Sequence, residues 1–202
     1  VSRIVHAILP DHPRILVDCD GVLADFVTPC LEKVFALTGK RFHHDDVKEW
    51  EVPIAVGLTP EQSAAVYKAM EVKGLCRNAQ AYPGARDTLD WMRKRGYEVL
   101  AVTKPFGGEH WVHERDAWLI AEMGFHKHEI QHARMKEAVV GDVLIEDSGE
   151  NLRKWVAAMP EGKGVMIPRE YNAADAWTGP RKSLGRDLIE WLDWELAHRR
   201  YG

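Results

Sequence analysis

Apolar positions along this chain fall into two rhythms that alternate. Ile15, Leu16 and Val17 form an unbroken apolar run, which reads as a short strand buried on both faces. From residue 82 to 96 the period lengthens. Pro83-Gly84 opens the segment, Leu89 and Met92 share a face, and Gly96 stops it, so a helix is predicted. Tyr97 to Thr103 returns to a strand pattern. Residues 109–125 predict a second helix, with Val112, Leu119 and Met123 on one side, Trp111 over Trp118, and Gly124 at its end. Strands are expected at 129–133, 142–147 and 164–168. A last helix at about 183–199 aligns Leu184, Leu188, Leu192 and Leu196 four residues apart. Strands alternating with helices predict an α/β fold, a parallel sheet covered by helices.

Residues 27–80 break the alternation. They hold polar and helix-prone pieces, with Thr59, Pro60 and Gln62 making a good helix start. The predicted organisation is therefore a core of residues 1–26 and 81–202 with a small helical insertion at 27–80.

Chemistry enters where the first strand ends. The run Ile15 to Val17 leads straight into Asp18 and Asp20, then Gly21. Burying unpaired carboxylates there costs several kcal/mol unless they meet a cation or a proton, and a divalent metal site is the direct remedy. Period-two geometry places Asp18 and Asp20 on one side with Cys19 turned away, and Gly21 permits a sharp turn. An ordinary Asp-Gly turn after a strand is the plainer alternative.

Composition narrows the classes. The 202 residues suffice for one core of ordinary size, and 46% hydrophobic with 29% charged residues describes a soluble globular protein. A net charge of -4 gives no broad footprint for a nucleic-acid polymer; a small phosphorylated substrate fits better. Cys19, Cys30 and Cys76 are odd in number and widely spaced, which suggests neither disulfides nor a C-x-x-C zinc site and points to a reducing, cytoplasmic setting. The opening VSRIVHAILP is too short and interrupted for a signal peptide, and no apolar run approaches the ~18 residues that span a membrane.

The string DCDGVLADF, with its D-x-D-G-V core at Asp18 to Val22, resembles the first motif of the haloacid dehalogenase (HAD) superfamily, and in its longer form the 5'(3')-deoxyribonucleotidase branch. The resemblance implies a Rossmann-like core sheet with helices on both faces and a cap formed by residues 27–80. It implies that Asp18 attacks phosphorus while Asp20 protonates the leaving oxygen and then activates water. It assigns Thr103, ending the second strand, to a phosphoryl oxygen together with the amide of Lys104, which stands where the branch often has Ser. Lys136, with Arg134 two residues before it, resembles the third motif. Glu146-Asp147 resembles the fourth, where the branch usually has Asp-Asp. Mg2+ would draw on Asp18, the backbone carbonyl of Asp20 and an acid of this pair, with Asp147 the preferred direct ligand over Glu146. Asp142 lies at the other end of that strand, roughly 16 Å away. MIPREYN, residues 166–172, also resembles the branch, so the likeness covers most of residues 14–172.

Open parallel sheets bind ligands beyond the carboxyl ends of their strands, where Asp18, Asp20, Thr103 and Glu146-Asp147 all fall. Phe26 and Trp50, and after them Trp111, are candidates to line a nucleobase pocket. Trp91, Trp118, Trp155 and Trp191 sit at helical spacing and read as core. The His43-His44, His110/His113 and His126/His128 groups lack partners for a zinc set. The expected function is a Mg2+-dependent phosphatase for (deoxy)nucleoside monophosphates. Alternatives are a phosphatase for another small phosphate ester, such as a sugar phosphate, and a non-catalytic phosphate-binding domain. Asp20 argues against a dehalogenase, which needs no leaving-group proton. No nucleic-acid or membrane partner is expected, and a homodimer is left open.

Overall fold

The computed structural model describes residues 12–199; the opening segment VSRIVHAILP lies outside the described residues. Five parallel strands stand in the order β3-β2-β1-β4-β5, formed by β1 (Arg14–Val17), β2 (Glu98–Thr103), β3 (Ile130–His132), β4 (Val143–Glu146) and β5 (Lys163–Met166). Central β1 pairs Ile15 with Val99 of β2 on one side and with Val143 of β4 on the other.

Side chains of a strand alternate faces, and each face of this sheet meets a helical layer. Ile15, Val17, Val99, Ala101, Val143 and Ile145 pack with Leu89 and Met92 of α4 (Ala85–Lys94), Trp118 and Leu119 of α5 (Trp111–Ala121), and Leu188, Leu192 and Leu196 of α7 (Arg186–Arg199). Leu16, Leu100, Val102 and Leu144 face the other way, onto Leu152 and Trp155 of α6 (Gly149–Ala158). The predicted helix and strand segments thus form with ends shifted by a few residues, except that α6 falls outside them.

One face was misread. Val112 is 40% exposed, and the buried side of α5 is Trp111, Glu114, Arg115, Trp118 and Leu119. Arg115 holds an inward position because two tryptophans flank it and an acid meets it.

Residues 27–80 hold α1 (Val27–Thr38), α2 (Val52–Ala55) and α3 (Pro60–Met70). Thr59 caps α3 through a reciprocal pair, its hydroxyl accepting from the Gln62 amide while Gln62 accepts from the Thr59 amide at 3.0 Å. These helices gather an apolar cluster of their own, from Val27, Cys30 and Val34 to Val66 and Met70, onto which Phe26, Phe106 and Tyr171 pack. Cys19, Cys30 and Cys76 are buried free thiols. No helix among the described residues is long and apolar enough to cross a membrane.

Candidate active site

The carboxyl ends of β1, β2 and β4 bring their polar residues to one place. The Asp18 amide donates to the Ile145 carbonyl, which locks the residue after β1 against β4. Gly21 follows with φ +77, and a Cβ there would overlap the Asp147 carboxylate and the Tyr171 hydroxyl. Only glycine allows both the left-handed turn and this approach.

Lys136 is the hinge of the charge arrangement. Only 4% exposed, it sits 2.6 Å from Asp18 Oδ1 and 2.6 Å from Glu146 Oε2. Burial pulls its ammonium down, and the carboxylates of Asp18 and Glu146 more than reverse this, so it stays charged. Burial pushes Glu146 up, but Lys136 and hydrogen bonds outweigh it and hold the acid below its usual range. Its second oxygen accepts from the amides of Asp147 at 3.2 Å and Ser148 at 3.1 Å. Asp18 and Asp147 stand the other way. Burial first, then Glu146, holds each well above the ordinary carboxylate range.

Asp18, Glu146 and Asp147 each place an oxygen within 4.8 Å of the others. With all three ionised, three carboxylates against one lysine would leave two negative charges in excess. Asp147 Oδ2 accepts a hydrogen bond from the Tyr171 hydroxyl, while its Oδ1 is buried with no hydrogen-bond partner among the described residues. An orphaned acid oxygen beside a double negative excess fits a hard divalent cation. Of the pair, Glu146 is already occupied by Lys136 and two amides; Asp147 holds the free oxygen.

Asp20 is placed differently from Asp18. Its carboxylate accepts from Arg115 at 2.5 Å, and it lies outside the acid cluster, so only its carbonyl remains available to a cation. Burial raises the Asp20 carboxyl, with Arg115 acting against the rise. Arg115, 1% exposed, also donates to Cys19 Sγ at 3.0 Å and lies 4.9 Å from the ring centre of Trp111. Replacing Arg115 by Met is expected to cost about 2 kcal/mol, less than a fully buried pair because Asp20 can regain water. The urea midpoint should fall at unchanged slope; a loss below about 0.5 kcal/mol would show the pair to be neutral for folding.

Thr103 ends β2 fully buried, its hydroxyl without a hydrogen-bond partner among the described residues. A cavity of about 610 Å³ opens over the acid cluster and Lys136, and Thr103 lies beneath its lining rather than in it. Asp18, Asp20, Lys104, Arg134, Lys136, Glu146 and Asp147 line it, as do Phe26 and Trp50. Trp111 does not. It lies buried beneath Phe26 and Phe106, at 6.2 and 5.1 Å between ring centres, so the expectation that it faces a ligand is corrected. Asp142 accepts the Arg14 amide at 2.7 Å at the opposite end of β4.

The model of the family described as "5' nucleotidase, deoxy (Pyrimidine), cytosolic type C protein" matches residues 12–174. The chain belongs to this family. This 5'-nucleotidase-family chain is a phosphoric monoester hydrolase of the HAD type. It is similar to a protein of Bordetella bronchiseptica named "Putative 5'(3')-deoxyribonucleotidase", with 28% identity over 194 residues, covering 89% of this chain and 92% of the relative. A HAD family hydrolase of Deinococcus radiodurans R1, solved with bound phosphate and sodium, superposes with a TM-score of 0.56 at 16% identity, covering 93% of this chain and 96% of that one. A haloacid dehalogenase-like hydrolase of Streptococcus pneumoniae gives 0.59 at 14% identity, covering 91% and 98%. At these identities the two structures speak for the fold, an α/β HAD core.

Three residues in or against the candidate site carry no assignment in the sequence reading. Arg115 had one signal, four residues after Trp111 and three before Trp118 on the apolar side of a helix. Tyr171 stood inside the MIPREYN string without a role, and Phe106 in the loop after Thr103 carried no signal at all.

Proposed function

We propose that this protein hydrolyses (deoxy)nucleoside monophosphates to nucleoside and phosphate through an aspartyl phosphate on Asp18, with Mg2+ as its cation. One observation carries the reading. Asp18 and the unpartnered Asp147 oxygen sit in a cavity of about 610 Å³ whose lining includes Phe26, Trp50, Tyr67 and Phe106. A phosphate clamp facing aromatic rings suits a phosphate ester carrying a flat base.

The Asp18 carboxylate attacks phosphorus, the bond from phosphorus to the ester oxygen breaks, and Asp20 supplies the proton that oxygen needs. Asp20 then takes a proton from water, whose oxygen attacks phosphorus, and the bond to Asp18 breaks to release phosphate. Lys136 offsets the repulsion between the Asp18 carboxylate and the anionic substrate, and the Thr103 hydroxyl and Lys104 amide donate to phosphoryl oxygens. Arg134, on the rim of the cavity, adds a second cation toward the phosphate. Mg2+, held by Asp18, Asp147 and the Asp20 carbonyl, would neutralise charge on the transferring group. The 27–80 segment acts as a cap that excludes water and brings Trp50 and Tyr67 to the base.

The test is phosphate release from a panel of deoxyribo- and ribonucleoside monophosphates and sugar phosphates, with EDTA and with Mg2+ restored. Nucleoside monophosphates should lead in kcat/KM by at least about tenfold, and EDTA should stop the reaction. Asp147→Asn should raise the Mg2+ needed for half-activity by at least about tenfold, while Asp142→Asn should leave it unchanged. A preference for sugar phosphates, or turnover indifferent to EDTA, would sink the reading.

A further inference from the structure

A short turn after β5 ties the acid cluster to the helical segment. Tyr171 donates its hydroxyl to Asp147 Oδ2. Next to it, the Asn172 amide donates to the Asp147 carbonyl at 2.8 Å and to the Ile167 carbonyl at 3.0 Å. Backbone and carboxylate of Asp147 are therefore both set by this one turn. Its other side faces the 27–80 segment. Trp50 meets the Tyr171 ring edge to face, with centres 5.5 Å apart and planes at 83°, and Lys48 pairs with Glu170 at 2.8 Å. The ion pair is exposed and contributes little; the ring contact is the one that touches the acid's partner.

We infer that Tyr171 is a positioning residue for the divalent cation. By occupying Oδ2 it keeps the Asp147 carboxylate from rotating and leaves Oδ1 as the single oxygen offered, and through Trp50 it makes cation affinity depend on where the 27–80 segment sits. The inference rests on the cation placement given under the proposed function. Partners that orient a ligating carboxylate influence metal affinity by about 10- to 100-fold in other proteins. Coupling between two sites is reciprocal, so a substrate seated against Trp50 would tighten the cation, and the cation would tighten the substrate.

Calorimetric titration of Mg2+ into the substrate-free protein tests this without any turnover. Tyr171→Phe keeps the ring against Trp50 and removes the hydroxyl, and should weaken Mg2+ binding by about tenfold. Trp50→Ala should weaken it by about threefold, and Trp50→Phe should restore most of that loss. Cooperative melting of each variant within about 2 °C of the wild type keeps these readings free of misfolding. Wild-type Mg2+ affinity in Tyr171→Phe overturns the inference. Wild-type affinity in Trp50→Ala overturns the link to the 27–80 segment. Asp147→Asn serves as the separate control: if it binds Mg2+ as tightly as the wild type, the cation placement itself is wrong and the inference falls with it, whatever Tyr171→Phe shows.

Discussion

An Asp18→Asn protein is expected to fold, to melt no lower than the wild type in the absence of divalent cations, and to release phosphate at least about a thousandfold more slowly. The two halves share one cause. Asp18 is buried beside Glu146, with one lysine 2.6 Å from each, and burial together with Glu146 makes its charge unfavourable. An amide of the same shape removes that charge while Lys136 keeps Glu146, so stability should stay level or rise by about 1 kcal/mol. The nucleophile is lost at the same time. Adding Mg2+ should narrow or reverse the difference in melting, because the wild type gains more from binding. Thermal unfolding with and without Mg2+, beside a phosphate-release assay, checks all of this. Residual turnover above about 1% of wild type would remove Asp18 from the nucleophile's role.

Lys136→Met should have the largest effect on folding. It leaves two carboxylates facing each other in a place where Glu146 is fully buried and Asp18 nearly so, and loss of one partner from a buried charge cluster costs about 3–5 kcal/mol. Combining it with Asp18→Asn should return at least about 1 kcal/mol of that, since the second change removes half of the stranded charge. Urea midpoints of the two single variants and the double variant decide it. Strict additivity would mean that Lys136 does not bridge the two acids.

The strands were legible because a buried parallel strand leaves a blunt signature: apolar run, then abrupt polarity, as in Leu144 and Ile145 before Glu146-Asp147. Helices with mixed faces were harder. In α6 the inward side is carried chiefly by Leu152 and Trp155 among charged neighbours, too sparse a pattern to stand out. Val112 was misplaced because an arginine, Arg115, took the inward face that apolar counting assigned elsewhere. Within the site, one-dimensional spacing brings Asp18 and the Glu146-Asp147 pair to strand ends, whereas Lys136 and the preference for Asp147 over Glu146 came from the family resemblance, which carries no physical reason for dividing the pair. That division depends on which oxygen Lys136 reaches and on two backbone amides that turn back onto Glu146. Trp111 shows the same limit in the aromatic layer, since Phe26 and Phe106 cover it from two other segments.

The order of the sheet also sets a schedule for synthesis. Central β1 has no sheet partner until β2 follows some eighty residues later, and its second neighbour lies further on still, the Arg14 amide closing onto Asp142 across 128 residues. At about 5–20 residues per second, ribosomes need on the order of ten seconds to supply that second edge. Until β2 arrives Ile15, Leu16 and Val17 have no strand partner, and until β4 arrives they have only one, so the acids that follow them cannot be enclosed before β4 is made. The nascent chain is therefore most open to aggregation before β4 emerges, and shelter by a chaperone over that window should raise the yield of folded protein more than any change made after release.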